Sequence, residues 1–505
     1  VKKLGSLPIL ALFIAAAMLF VRRPGIEADE ALVANPAFFS WHSIPLMHFS
    51  YVGALKTWLY AGIFAILKPG PVSLRTPTVL MGALAILLFF LLLDRTVGRR
   101  TAWIGALLLA TDSIFVILEA VDYGPNAVHF VLKLGAMLLL VRFDRTGSAR
   151  TLAAAFFLFG LGLWDKAIFA WALFGISLAT AIVFPRAIWR HFTIRNLAIA
   201  AASMTVGALP LVIYNIARPL ETFKSNTHLA REPIALKVDM LENTLSGAAL
   251  FNFFTSIPAP HPGVADTGWL KFSQAVSEAT HQPAHNFTLW ALCFSCLGLF
   301  ARASRKAVLF GLLALAGTWL PMLLTAGTGV AAHHVILLWP FQFLPIAATL
   351  AAIPWRAVSA AATLLLCASN LALTNEYYWE LVRNGPDIRW TDADYPLEQC
   401  LETLRPPNIY IVDWGIYETI RLLSNKTAPL QVPDFSDAGS LRTIVSDPRA
   451  VFVTHTAKFA YLPQQRVLLD EAASAAGYEE VGVEIVYDHY GRATFEVFRF
   501  RKIPL

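Results

Sequence analysis

Long apolar stretches separated by short polar turns dominate the first three quarters of the chain. About eleven can be delimited, at 7–21, 76–93, 101–118, 125–141, 151–164, 167–184, 196–217, 286–301, 307–326, 334–353 and 357–374. A helix needs roughly 20 mostly apolar residues to cross a bilayer, so each is read as a spanning helix, with the two shortest open to merging. After residue 375 the pattern changes. Ile409 to Val412 and Ala450 to Thr454 read as strands, Ile416 to Leu423 and Val467 to Ala476 as helices, and Glu484 to Tyr487 with Thr494 to Phe500 as a closing strand pair. The fold expected is a polytopic α-helical membrane protein of about 11 transmembrane helices, residues 1–374, followed by a small α/β domain, residues 375–505.

The charges between the stretches orient them. With an inside N-terminus, the inside loops hold Lys2 and Lys3; Arg95, Arg99 and Arg100; Arg142, Arg145 and Arg150; Arg186, Arg190 and Arg195; Arg302, Arg305 and Lys306; and Arg356. The short turns at 119–124 and 327–333 carry no Lys or Arg, as the outer side should. Two long loops, 22–75 and 218–285, then lie outside, and an odd number of spans puts the C-terminal domain outside as well. In the first of these loops, residues 31–41 and 52–67 read as interfacial amphipathic helices, with Trp41, Trp58 and Tyr60 at headgroup level. Lys2 and Lys3 before an apolar run resemble a signal peptide, but Arg22 and Arg23 follow with no small-residue cleavage site, and a retained first helix is expected.

Composition narrows the class. Of 505 residues, 57% are hydrophobic and 15% charged, with a mean hydropathy of +0.57, which a soluble fold has no interior to hide. The net charge of +6 lies in short clusters between apolar segments rather than along one face, so membrane lipids and not nucleic acid are the partner it points to. Four cysteines, three of them in or beside apolar segments, suggest no disulfide framework. The C-terminal part has no phosphate loop, zinc spacing or Ser-His-Asp signature and is read as a lid or acceptor-docking domain.

Ionisable groups at membrane depth are costly, which makes them candidates for function. Glu27-Ala28-Asp29-Glu30 follows the first span, and its plain alternative is acid at a helix start. By loop parity the same outer level also holds Lys56, Arg75, Glu119, Asp122 and Lys166. Such a cleft has carboxylates able to take a proton and cations able to hold a phosphate, as sugar transfer from a lipid phosphate requires. Lys56 equally fits a lysine that merely snorkels. His333-His334 ends a span near this level, and His261, His281 and His285 lie in the second long loop. Metal ligation by these histidines is less expected than a structural role, and contact of His334 with a lipid phosphate is the alternative.

The order of these features resembles glycosyltransferase family 39, the GT-C type group that includes protein O-mannosyltransferases and aminoarabinose transferases acting on lipid A. Asp29-Glu30 comes first, then Tyr51-Val52-Gly53-Ala54-Leu55-Lys56-Thr57-Trp58-Leu59-Tyr60, Ser73-Leu74-Arg75-Thr76-Pro77-Thr78-Val79-Leu80, and Gly160-Leu161-Gly162-Leu163-Trp164-Asp165-Lys166. The likeness covers about residues 7–185, and the rest only in topology. It implies inverting transfer from a polyprenyl-phosphate sugar to a hydroxyl of a lipid, glycan or protein acceptor, at the periplasmic face of a bacterial inner membrane. Asp29 would be the base and Glu30 would position substrate or tune it. Arg75 and Lys166 would hold the leaving phosphate, a guanidinium being able to grip two oxygens at once. Relatives often carry an Asp after Pro where this chain has Gly124-Pro125-Asn126, so a second carboxylate would come from Glu119 or Asp122. A divalent metal is left open, with no cofactor otherwise implied. The competing readings are a lipid-linked glycan ligase or polymerase, which does not need Asp29-Glu30, and a transporter or flippase, for which paired repeats with interrupted helices are expected and not found.

Overall fold

The computed structural model describes residues 7–38, 43–124, 126–256 and 268–504. Lys2, Lys3, Trp41, Pro125 and His261 lie outside them. The chain is mostly helical. It opens with α1 (Leu7–Val21), α2 (Ala28–Ala34), a hairpin of β1 (Met47–Phe49) and β2 (Val52–Gly53), and α3 (Leu55–Phe64). Then follow α4 (Pro71–Thr96), α5 (Arg99–Thr111), α6 (Ser113–Ala120), α7 (Asn126–Thr146), α8 (Ala149–Asp165) and α9 (Phe169–Val183). Among the described residues four helices are long and apolar enough to cross a membrane alone: α4, α7, Arg305–Leu324 and Arg356–Asn384. Four bent pairs add to them, at Thr111/Ser113 (58°), Val183/Pro185 (99°), Gly207/Leu209 (72°) and Leu338/Phe343 (44°), and Leu7–Val21 and Thr288–Leu299 are shorter apolar helices.

The apolar patterning placed these elements within a few residues but not their breaks. Hydropathy runs unbroken through 101–118 and 334–353, whereas the backbone breaks in both, and the freed polar groups find side chains. Asp112 Oδ1 caps α6 by accepting from the Phe115 amide (2.9 Å) and also accepts from Trp339 Nε1 (2.9 Å). Lys133 Nζ donates to the Leu337 and Trp339 carbonyls (2.8 and 2.5 Å) at the second break. Backbone groups at membrane depth have no water to turn to, so one Asp and one Lys hold the two breaks against each other.

Site-forming segments gather at one end of the bundle, while the arginines of the predicted inside loops gather at the other, where Arg100 donates to the Ala351 and Ile353 carbonyls (3.0 and 3.1 Å) and Arg145 to the Arg95 carbonyl. The first long loop departs from the interfacial helices expected of it. Helix persists only to Ala34, with a 3-10 turn over Asn35–Phe38, and α3 is buried along one side. Tyr60, expected at headgroup level, is fully buried, donating to the Leu74 carbonyl (2.8 Å) and to Asp122, because α3 packs inward on α4.

The C-terminal domain is a five-stranded sheet of β3 (Asn408–Ile411), β4 (Leu430–Gln431), β5 (Ala450–His455), β6 (Tyr478–Tyr487) and β7 (Ala493–Lys502), in the order β4-β3-β5-β7-β6. β3 runs parallel to β4 and β5, and β7 antiparallel to β5 and β6. Strand alternation sends Ile409 and Ile411 to one face, with Leu397 and Ile420, and Tyr410 to the other, with Leu441 and Leu469. The domain sits directly on α2. Leu422 joins Ile26, Ala31, Ala34, Tyr60 and Leu74 in one apolar cluster, Asn35 Nδ2 donates to the Glu418 carbonyl (3.0 Å), and Thr419 Oγ1 donates to the Ile26 carbonyl (3.2 Å). Gly25 donates to the Trp390 carbonyl (2.9 Å), and a Cβ on Gly25 would overlap the Thr391 carbonyl, so only glycine admits this approach.

Candidate functional site

The acidic run after α1 divides into three fates. Glu27 is the N-cap of α2, its Oε2 accepting from the Asp29 amide (2.5 Å), while the Glu30 carboxylate reaches back to the Glu27 amide (3.2 Å) and completes a capping box. Glu30 also takes Arg75 side-on, with Nε–Oε2 2.8 Å and Nη2–Oε1 2.7 Å. Asp29 alone points its side chain into an accessible cleft, with Glu27 and Glu30 buried on either side. The cleft walls surround Asp29 closely enough to push its carboxyl above the ordinary range by desolvation, an effect held back by the charges of Lys166 and Arg389.

Arg75 is placed differently from the phosphate ligand expected of it. It is fully buried, and beyond Glu30 its guanidinium donates to the carbonyls of Val21 (3.1 Å), Pro24 (2.9 Å) and Gly25 (2.6 Å). All its nitrogens are engaged, so it fastens the α1–α2 connection to α4 and has nothing to offer a ligand. Lys56 is likewise buried, paired with Asp122 and donating to the Gly124 carbonyl (2.8 Å); neither snorkelling nor an open phosphate contact describes it. Asp122 also accepts from Tyr60, and burial raises its carboxyl to about 6 despite those partners. Glu119 is wholly buried beside α4 with neither oxygen partnered among the described residues.

Lys166 sits where the first loop meets the α8–α9 turn. Val52 bridges Lys166, the Ala167 amide donates to the Tyr51 carbonyl (2.9 Å), and a Cβ on Gly53 would overlap the Trp164 carbonyl. The hairpin thus delivers Lys166 toward Asp29, and burial lowers its ammonium to about 8, with Asp29 and Asp165 opposing the shift. His333 and His334 lie close together with their rings tilted (4.2 Å between centroids, 57° between planes), His333 meets the Tyr123 ring edge-on (4.6 Å), and neither Nδ1 has a partner among the described residues. Lys166 lies near enough to act electrostatically on both imidazoles.

The structure therefore sets Lys166 within electrostatic reach of Asp29 and of His333 and His334, and puts Glu30, Arg75, Lys56 and Asp122 into the buried support behind them. Sequence reasoning missed Arg389 and Tyr123. Arg389 follows the last span, hundreds of residues from Asp29, in a Pro-Asp-Ile-Arg-Trp stretch with no signal beyond a charge past a helix end; its guanidinium lies over the Phe253 ring (5.2 Å). Among the described residues no three His, Cys, Asp or Glu side chains converge as metal ligands, and both Glu30 oxygens belong to Arg75. That donor set does not fit a hard cation, which wants several oxygens at once.

Residues 53–220 match the family described as dolichyl-phosphate-mannose-protein mannosyltransferase. Among solved structures, the chain is similar to ArnT from Cupriavidus metallidurans in the apo state, with a TM-score of 0.59 at 12% identity, covering 97% of this chain and 96% of that one. The apo oligosaccharyltransferase of Archaeoglobus fulgidus matches at a TM-score of 0.48 and 14% identity, over 90% of this chain and 70% of that one. No curated protein sequence matches. The overall fold is thus that of ArnT, from the first helix through the C-terminal sheet.

Proposed function

We propose, on the support of the family match over residues 53–220 and the ArnT-like fold, that this chain is a GT-C type membrane glycosyltransferase that transfers a sugar from a polyprenyl-phosphate donor to an acceptor hydroxyl, with Asp29 as the base. The observation that carries the reading is the separation of the acids, in which Asp29 is open to a cleft while its neighbours are capped, paired or buried. The matched family's description names a lipid-phosphate-linked sugar as donor, which supports the same donor class here.

In this mechanism the acceptor hydroxyl loses its proton to the Asp29 carboxylate as its oxygen attacks the anomeric carbon. The bond from that carbon to the phosphate oxygen breaks, and direct displacement inverts the anomeric centre. The departing polyprenyl phosphate gains negative charge, which Lys166 and the N–H groups of His333 and His334 meet. The charge of Arg389 favours the Asp29 carboxylate and offsets part of the desolvation that raises its pKa. Glu30 and Arg75 act at one remove by fixing α2. The basic ends opposite the site support an outer-face placement of the reaction with a cytoplasmic N-terminus, in keeping with a bacterial inner membrane. The C-terminal domain, from about residue 375, is extracytoplasmic in this arrangement.

Asp29→Asn tests the reading. Supplied with radiolabelled polyprenyl-phosphate sugars and a membrane extract as acceptor source, wild type transfers label and the variant loses about 10²–10⁴-fold in rate while still binding carrier. Equal transfer by both removes Asp29 from the mechanism, and a donor requirement for lipid diphosphate moves the chain toward the ligase class.

A further inference from the structure

A buried acid and histidine behind Lys166 take no part in the chemistry above. Asp165 is the last residue of α8, next to Lys166, and His129 lies on α7; they are 1% and 2% exposed. His129 Nε2 and Asp165 Oδ2 face each other at 3.3 Å, but neither has a hydrogen-bond partner among the described residues. Phe169 packs on the imidazole, with ring centroids 4.9 Å apart, and Gly162 makes room for Phe169, since a Cβ there would overlap its ring. Packing thus holds the pair together while its hydrogen bonding stays incomplete. Native proteins rarely leave buried polar atoms in that condition without a use for them.

A buried carboxylate short of hydrogen bonds is strongly disfavoured, so an ionised Asp165 depends on nearby cations. The charges that act on it are those of Lys56, Lys166 and Asp122. Lys56 is in contact with Asp122, which also accepts from Tyr60, so Lys56 and Asp122 largely cancel at Asp165. Lys133 faces His129 and is held by the Leu337 and Trp339 carbonyls. Of the other helices packed on α8, α9 carries no titratable residue, Ile194–Gly207 only Arg195 and Leu209–Ala217 only Tyr214, and neither acts on Asp165. Lys166 is therefore the cation that keeps Asp165 ionised, while it also faces Asp29. A phosphate at Lys166 sets a second negative charge beside the first in a buried site, which is costly. One proton relieves the conflict, because the protonated carboxyl has an O–H to donate and His129 Nε2 is 3.3 Å away to accept it.

We infer that Asp165 and His129 form a proton-binding site coupled to the donor: Asp165 is ionised opposite Lys166 in the free chain and takes a proton from solvent when a phosphate occupies Lys166, donating it as a hydrogen bond to His129. No covalent bond changes, and the proton returns to solvent when the phosphate leaves. The exchange of one counter-charge for another leaves the Lys166 ammonium free to hold the phosphate. The inference rests on the donor reading for the contact between Lys166 and a phosphate, but proton uptake is testable without turnover.

The experiment uses the full chain in lipid nanodiscs at neutral pH and records infrared difference spectra on adding polyprenyl methyl phosphate. This phosphodiester has no sugar to transfer and does not itself titrate near neutrality. In wild type, binding raises a carbonyl-stretch band of a protonated carboxylic acid at the expense of carboxylate absorption. The band is lost in Asp165→Asn and kept in Asp29→Asn. It moves to higher frequency in His129→Phe, which keeps a ring against Phe169 and removes the acceptor, and that shift decides the matter if Asp165→Asn does not fold. Binding without the band overturns the proton site alone, as does a band that survives Asp165→Asn, disappears in Asp29→Asn or stays unmoved in His129→Phe. No binding of the phosphodiester removes the donor reading and the proton site with it, whereas the band in a wild type that transfers no sugar removes the transferase reading alone.

Discussion

Three carboxylates within four residues take up unlike roles because only geometry, and not residue type, distinguishes them. Acid at a helix start is an adequate account of Glu27 and Glu30; the family resemblance pointed to Asp29, but residue type and spacing alone did not, and its distinction in the structure is that its side chain is exposed while theirs are buried. Arg75 is the clearest case of a residue whose chemistry was legible and whose partner was not. A buried guanidinium with every nitrogen engaged is structural, so Arg75→Met should leave the Glu30 charge uncompensated and cost about 3–5 kcal/mol. Thermal unfolding in detergent checks this; weakened donor binding at unchanged Tm would instead make Arg75 a phosphate ligand. The same residues set a pH profile. A base must be ionised, so kcat/KM rises as pH climbs through the elevated Asp29 value, and it falls again as Lys166 loses its proton near about 8. Lys166 and Arg389 favour the Asp29 carboxylate, so Arg389→Gln should raise its pKa further and carry the acidic limb to higher pH, with the alkaline limb unmoved. A rate profile from pH 4 to 9, or roughly that range, checks both limbs.

At the level of elements, spans and strands were readable because burial in lipid or in a sheet imposes a period on the sequence, and a period survives without knowledge of the partner. Breaks carry no such mark. Asp112 and Lys133 lie inside the apolar runs 101–118 and 125–141 and drew no reading from the sequence; their use is visible only beside the Leu337 and Trp339 carbonyls and the Trp339 indole. Strand β2 was likewise absorbed into the interfacial helix expected over 52–67, and β1 fell outside both expected helices, since two or three strand residues are too few to show alternation. Yet that hairpin orders the Lys166 turn. Gly53→Ala forces a Cβ onto the Trp164 carbonyl, and overpacking of this kind costs about 1–3 kcal/mol. The expected result is a lowered Tm and weakened binding of polyprenyl-phosphate sugar, because the displaced strand takes the Val52–Lys166 bridge with it. Gly62→Ala on α3, where a Cβ has open space, should leave donor binding unchanged and raise stability by up to about 1 kcal/mol.

The molecule as a whole joins a membrane bundle to a sheet domain through the short helix that carries Asp29. The two-part organisation was legible from the change of composition alone, but the seam was not, because its contacts pair residues nearly four hundred positions apart, such as Ile26 with Thr419 and Asn35 with Glu418. A lid that merely covered a site would be removable with little effect on the geometry beneath. Here Leu422 is wholly buried against Ile26, Ala31 and Ala34, so α2 is held from below by Arg75 and from above by the C-terminal domain. A seven-residue helix has little stability of its own and depends on such packing. Leu422→Asp places an unpaired carboxylate in that cluster, and a charge buried without a partner either unseats its surroundings or is neutralised. The expected outcome is a chain whose bundle still unfolds near the wild-type temperature, with faster amide exchange in residues 26–38 and transfer activity reduced at least tenfold. Slow exchange at α2 with activity lost would place the fault in acceptor binding, and wild-type exchange together with wild-type activity would mean that the domain covers the site without building it.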